Sequence, residues 1–268
     1  GSNAEAVTEY RKLLRIIPDD ESALSEVLLA LSDGERDQFR QYLDRLDDPL
    51  KTASALAHRV AWYDERVLNW LVSFMKQSEP DSNRTRQLIA LEYEVAGDGD
   101  AAAEQYLLSL LAEDDPNQRV EIAESYLFQM IELGQAAVGM RRIPADLQPK
   151  LFEDLVTYWL DEEVTMSRRE LRELVTVYRE LNPGDLWGKY QQAVLDREDK
   201  NLQQAEQSFR EIIEALPKEP GVQNVAEDQF STTTPRTWAV YELATIMADS
   251  DRAIEAYDEY WKEDVFGA

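Results

Sequence analysis

The chain has 268 residues, of which 28 are basic and 54 acidic, for a net charge of −26, and it contains no cysteine. Such an acid excess disfavours binding to nucleic-acid phosphates or anionic lipid, because like charges repel. Without cysteine, disulfides, thiol nucleophiles and cysteine-ligated metals are excluded. The acidic surface either attracts a basic partner or simply keeps the protein hydrated and soluble.

The chain opens with residues 1–4, GSNA, which resemble the remnant of a cleaved expression tag. The residues that follow lack the basic start and apolar run of a signal peptide, and no apolar run is long enough to span a bilayer. Because residues 1–4 resemble a tag remnant, the native chain is expected to begin earlier than this sequence does. The sequence favours a cytoplasmic protein with no membrane span.

Apolar residues recur at spacings of three and four along the chain, and Leu, Ala, Glu, Gln and Arg are frequent. This pattern predicts helices, and nothing in it favours strands, so the expected fold class is all-α. Turn signals such as Pro18-Asp19-Asp20 and Asn182-Pro183-Gly184 recur along the chain. They predict roughly fourteen short helices in about seven antiparallel hairpins.

Two segments interrupt this rhythm. Residues 133–146 are weakly patterned and are predicted to form an irregular helix or a joint between helical repeats at 5–132 and at 147–268. Residues 217–236 have no helical period over about twenty positions, a length that marks a functional or mobile loop. The sequence therefore predicts a long insertion within the second set of repeats.

Three segments share the same offsets of zero, four, seven and twelve residues. The sets are Ala6, Tyr10, Leu13 and Pro18, then Leu171, Val175, Tyr178 and Pro183, then Ala205, Phe209, Ile212 and Pro217. Pro183 and Pro217 are 34 positions apart, which is the period of tetratricopeptide repeats. A small residue such as Ala205 lets two helices approach, and a proline ends the second helix.

The chain thus resembles tetratricopeptide repeat (TPR) proteins over four or five degenerate segments. The resemblance implies a right-handed α-α superhelix, or solenoid, of helical hairpins whose first helices line a concave groove. It also implies a scaffold or adaptor that binds a protein or peptide segment, which the negative charge suggests is basic. The alternatives are an accessory or self-association domain of a larger protein, in which case the chain forms homo-oligomers, and a helical enzyme that works through carboxylates.

Aromatic and basic residues on the predicted first helices are the candidate partner-binding residues. Trp187 and Tyr190 have the same spacing as Trp238 and Tyr241, so each pair lies on one helical face. Their rings either contact a partner or fill the core between helices. Arg168, Arg169 and Arg172 form a dense basic cluster, which either receives carboxylates of a partner or pairs with neighbouring glutamates.

The sequence offers little for catalysis, so the chain is predicted not to be an enzyme. Its only histidine, His58, lies on a predicted helix, where a structural role is the expectation. The acidic pairs beside turns are interpreted as helix caps, and Asp100 is predicted to cap the helix that follows Asp98-Gly99. We find no pattern for a calcium loop, a phosphate loop, a metal site or a cofactor.

Overall fold

The computed structural model describes residues 2–160, 166–216, 234–250, 252, 254 and 255. These residues contain fourteen α-helices and no β-strand, so the all-α prediction is confirmed for them. The chain divides into two compact units, residues 1–133 and 134–268, here called unit 1 and unit 2. Consecutive helices pack against each other within each unit.

Unit 1 contains eight helices among its described residues. They are α1 (Ser2–Leu13), α2 (Glu21–Ala30), α3 (Asp33–Leu43), α4 (Pro49–Val60), α5 (Glu65–Ser78), α6 (Asn83–Val95), α7 (Gly99–Ala112) and α8 (Pro116–Glu132). Besides its chain neighbours, α4 contacts both α2 and α6. Residues 67–75 form much of α5, and six of their seven apolar side chains are buried.

Aspartates begin several of these helices, as the acidic turn signals predicted. Asp20, Asp48 and Asp115 each accept hydrogen bonds from main-chain N–H groups in the first turn of the following helix. The prediction for Asp100 was wrong, because α7 begins at Gly99 and its cap is Asp98, which accepts from Ala101 N at 3.2 Å. Asp100 instead lies in the first turn, where its charge suits the helix dipole.

Unit 2 contains six helices among its described residues. They are α9 (Ala136–Arg142), α10 (Gln148–Asp154), α11 (Arg168–Leu181), α12 (Leu186–Glu198), α13 (Leu202–Ala215) and α14 (Pro235–Asp249). A π-helical turn, Leu155–Trp159, continues α10. Helix α12 lies at the centre, because it contacts α10, α11, α13 and α14.

The two segments predicted to be irregular have different outcomes. Residues 133–146 contain the boundary between the units, and they also form the short helix α9. Of the predicted insertion 217–236, residues 217–233 lie outside the described residues. Its last residues belong to α14, which begins at Pro235 because proline is well suited to a first helical turn.

Small residues allow close approach of the helices in unit 2. Ala193 and Ala205 are completely buried, at the contact between α12 and α13. Gly188 lies so close to the ring of Tyr178 on α11 that a Cβ atom there would be 2.9 Å from Tyr178 Cδ1. The Tyr178 ring cannot easily yield, because it stacks on Phe152 with ring centroids 3.8 Å apart. This packing fixes α12 against its neighbours.

Candidate protein-binding groove

A groove of about 480 Å³ opens in the surface of unit 2, where α12 meets the π-helical turn, α11 and α14. Apolar and polar groups share its lining. The apolar or aromatic side chains are Val156, Leu160, Met166, Leu171, Tyr190, Val194 and Trp238, and the polar or charged ones are Gln191, Arg197, Glu198 and Glu242. A concavity that combines apolar surface with a few placed polar groups is the usual form of a binding site.

Four aromatic rings meet beneath this groove and connect three helices. Trp187 and Tyr190 of α12 contact each other edge to face, with centroids 5.7 Å apart. Trp238 of α14 lies 6.5 Å from Trp187 and 5.9 Å from Tyr190, and Tyr190 also meets Phe209 of α13 at 5.9 Å. Edge-to-face contacts at these distances are favourable beyond the area they bury. The cluster therefore holds α12, α13 and α14 together.

The predicted aromatic residues differ in exposure. Trp187 and Tyr190 are only 6% and 2% exposed, so their rings belong to the core. Trp238 is half-buried and presents part of its ring to the groove, while Tyr241 is 60% exposed on α14. The two pairs share a sequence spacing, yet α12 packs against α10, α11, α13 and α14, whereas α14 packs mainly against α12 and α13. Of the four predicted rings, Trp238 and Tyr241 can reach a partner directly.

The predicted arginine cluster is engaged with carboxylates of the same chain. Arg168 and Arg172 both bind Asp199 at the end of α12, and Arg168 also lies 3.4 Å from Glu198. Arg169 pairs with Glu173 one turn further along α11, at 3.0 Å. These exposed pairs match the alternative in which the arginines serve neighbouring acids. They leave α11 and α12 joined at the rim of the groove.

An ion pair in the groove lining joins α12 to α14. The Arg197 guanidinium donates to the Glu242 carboxylate, whose residue is only 8% exposed. A buried carboxylate needs such a partner, because an unpaired buried charge is strongly unfavourable. The pair therefore links the two helices and neutralises the charge of Glu242.

Gln191 adds a neutral carboxamide to the lining, and the residue is 6% exposed. Gln192, the next residue, donates to Asp196 at 3.3 Å on a more exposed face of the same helix.

Two clefts among the described residues of unit 1 are smaller than this groove. One of about 310 Å³ lies among α1, α2 and α3 and is lined by apolar side chains, with Arg11 and Arg15 at its edge. The other, of about 360 Å³, is lined mainly by charged residues around Asp47 and Asp48. His58 is on the exposed side of α4 and lines neither cleft.

No group of three or more acidic, histidine or cysteine side chains in the described part of the chain is arranged to hold a metal ion. No helix there has both the length and the apolar character needed to cross a membrane.

No protein-family model matches the chain, and no curated protein matches it significantly. The likeness to tetratricopeptide repeats therefore rests on the offsets and the period of the sequence itself.

Sequence reasoning missed two important residues in unit 2. Gln191 looked like an ordinary surface glutamine, and only the crowding around α12 buries it. Arg236 was assigned to the insertion, but its guanidinium donates to the carbonyl oxygens of Ile213 and Leu216 at the end of α13. The carbonyls at a helix end lack main-chain partners, so a basic side chain placed after the helix was the available signal.

Proposed function

We propose that the protein is a scaffold or adaptor of the tetratricopeptide type, which binds a segment of another protein in the groove of unit 2. The observation that carries the proposal is the groove itself: a concavity in which seven apolar or aromatic side chains, among them the half-buried Trp238, lie beside polar and charged ones. Tyr241 on the same helix as Trp238 adds an exposed ring beside it. Tryptophan and tyrosine are the residues that contribute most at protein interfaces.

The arrangement of the helices supports the repeat interpretation. Helices α12 and α13 form a hairpin that spans the best repeat of the sequence, with Ala205, Phe209 and Ile212 completely buried, as the repeat pattern requires. Helix α14 then packs on both of them, which is how a third helix continues a stack of hairpins. In this interpretation α12 and α14 are first helices of successive repeats, and they share the groove.

A peptide selection tests this function directly. A displayed library of random linear peptides is selected against the chain, and enriched sequences are synthesised and titrated by fluorescence anisotropy. We expect peptides that bind the native protein and lose at least tenfold in affinity to Val194→Arg, because the long charged side chain fills an apolar part of the groove. The control is Leu202→Arg on α13, which also replaces a partly exposed aliphatic side chain by arginine but lies outside the groove lining.

Either of two results would refute the proposal. One is the recovery of no binding peptide, and the other is a set of peptides that bind Val194→Arg as well as they bind the native chain. Self-association is the alternative function, and light scattering on the same samples measures it. A dimer that Val194→Arg converts into a monomer would assign the groove to a second copy of this chain.

A further inference from the structure

We propose that the cleft among α1, α2 and α3 of unit 1 is a second binding site, and that it takes an acidic segment of another protein. A large apolar side chain of the segment fills the cleft, and a neighbouring carboxylate of the segment binds Arg11 or Arg15. The cleft shares no lining residue with the groove of unit 2. It selects a partner of the opposite charge to the one that the acidity of the whole chain favours.

The cleft has an apolar floor. Its volume is about 310 Å³, at the lower end of the roughly 300–1,000 Å³ that ligand pockets span, so it has room for one or two side chains. The apolar and aromatic residues of its lining are Leu14, Val27, Leu31, Phe39 and Tyr42. Leu14, Val27 and Phe39 are almost fully buried and form the floor. An apolar group enters such a space favourably, because it leaves water without losing hydrogen bonds.

Side-chain contacts hold the walls of the cleft in place. Helix α1 packs against α2, whereas α3 packs mainly against α4. The Tyr42 hydroxyl ties α3 to the chain that follows α1, because it donates to the Pro18 carbonyl at 2.7 Å and lies 3.3 Å from the Leu14 carbonyl. The Phe39 ring contacts the rings of Tyr42 and Trp70, with centroids 6.2 Å apart in both pairs. A ligand therefore enters a preformed space, which lowers the cost of binding.

The edge of the cleft is positively charged. Arg11 and Arg15 are both exposed there, and Glu35 is the one acidic residue of the described lining. The Glu35 carboxylate is turned towards Ser32, from which it accepts hydrogen bonds at 2.6 and 3.0 Å. These bonds lower the pKa of Glu35, and the Arg11 charge adds a smaller effect. Two arginines against one glutamate give the lining a net positive charge, in a chain whose total is −26.

Both arginines are available to a ligand. Among the described residues, no carboxylate forms an ion pair with Arg11 or Arg15. Glu9 of α1 is bound to Lys12 at 2.7 Å. The arginine cluster of unit 2, by contrast, is already bound to carboxylates. A guanidinium holds a carboxylate through two parallel N–H donors, so each arginine of the cleft can bind one.

Charge complementarity identifies the occupant. A basic segment would bring like charge to Arg11 and Arg15, and an uncharged segment would leave both arginines unused. Nucleic acid and lipid surfaces are anionic, but they are large enough to meet the rest of the acidic surface, which repels them. A short acidic segment senses mainly the arginines beside it, because charges more than about 8 Å away are largely screened at physiological ionic strength. The cleft therefore fits a protein segment with an acidic residue beside a large apolar one.

A peptide selection with charge-reversed variants tests the inference. Peptides from a displayed random library are enriched on the native chain and titrated by fluorescence anisotropy against Arg11→Glu, Arg15→Glu, Lys12→Glu and Val194→Arg. We expect a class of peptides with an acidic residue beside a large apolar one. Arg11→Glu and Arg15→Glu should each weaken the binding of this class about tenfold, because the reversal removes an attraction and adds a repulsion of similar size.

Lys12→Glu is the matched control for charge, because it makes the same reversal on α1 but lies outside the lining of the cleft. It should change the affinity of these peptides by less than about twofold, as should Val194→Arg in the groove of unit 2. Replacing the large apolar residue of a bound peptide by alanine should cost about tenfold, since its burial is lost. Raising the salt from about 0.1 M to about 1 M should weaken binding to the native chain more than to Arg15→Glu.

The inference is overturned if no acidic peptide is enriched, or if the enriched acidic peptides bind Arg11→Glu and Arg15→Glu as well as they bind the native chain. Urea unfolding confirms that each variant is folded, as expected for changes at exposed positions. Light scattering gives a further contrary outcome: a dimer that Arg15→Glu dissociates and Lys12→Glu does not would assign the cleft to a second copy of this chain. The proposed function of unit 2 is judged by the peptides that Val194→Arg weakens, so the two proposals can fail separately.

Discussion

Replacing Trp187 and Tyr241 separately by alanine should separate core rings from interface rings. Trp187 is 6% exposed and contacts the rings of Tyr190 and Trp238, so Trp187→Ala removes a buried ring from a close-packed cluster. Truncation of a buried tryptophan costs about 3–5 kcal/mol, a large part of the stability of a domain. Tyr241 is 60% exposed, and Tyr241→Ala should change stability by less than about 0.5 kcal/mol.

Urea unfolding followed by far-UV circular dichroism measures both changes, and hydrogen exchange read by mass spectrometry localises them. Trp187→Ala should speed exchange in α12, α13 and α14 and lower the urea midpoint, whereas Tyr241→Ala should leave both unchanged. Only Tyr241→Ala is then informative about partner binding, because its fold is intact. If Trp187→Ala has the same urea midpoint as the native chain, the assignment of this ring to the core is wrong.

Three further changes test other parts of the structure. Gly188→Ala should destabilise unit 2 by about 1–2 kcal/mol in urea unfolding, because the added Cβ atom meets the fixed ring of Tyr178. The matched control Gly184→Ala places its Cβ atom in open space and should be nearly neutral. Equal urea midpoints for the two variants would contradict this prediction. Arg236→Ala should cost about 2 kcal/mol by the same assay, since it leaves carbonyls at the end of α13 unpaired, and a cost under about 0.5 kcal/mol would argue against that cap. Burial raises the pKa of Glu94, so its contribution to stability is largest at low pH and is lost as the pH rises through the folded pKa. Between about pH 7 and pH 5, the free energy of unfolding measured in urea should therefore rise less for Glu94→Gln than for the native chain. The same pH profile for both proteins would refute this prediction.

The sequence predicted the all-α fold well, because helix periodicity and turn chemistry are local properties. Asp20 and Asp115 were recognisable as caps because a short acidic side chain before an apolar run serves few other purposes. Asp100 was misassigned for an equally local reason: two aspartates flank Gly99, and either can cap the helix. Main-chain geometry decides in favour of Asp98.

The groove was only partly predictable, because exposure depends on how many helices surround a position. Trp187 and Trp238 begin the same motif, yet α12 packs against four helices and α14 packs mainly against two. The same enclosure buries Gln191, although glutamine in a single helix normally indicates a solvated face. Arg172 shows the converse, since its carboxylate partner is Asp199, 27 residues further along the chain and brought near only by the α11–α12 packing.

Site-specific photo-cross-linking in an extract of the source organism would test the central claim most directly. The photoreactive residue p-benzoylphenylalanine replaces Glu198, an exposed residue of the groove rim, and in a matched control it replaces Leu202 on α13. We predict an adduct with a second protein at position 198 only, which a peptide selected against the groove competes away. Adducts that the peptide does not reduce, or that form equally at position 202, would contradict the claim that this groove binds a protein segment.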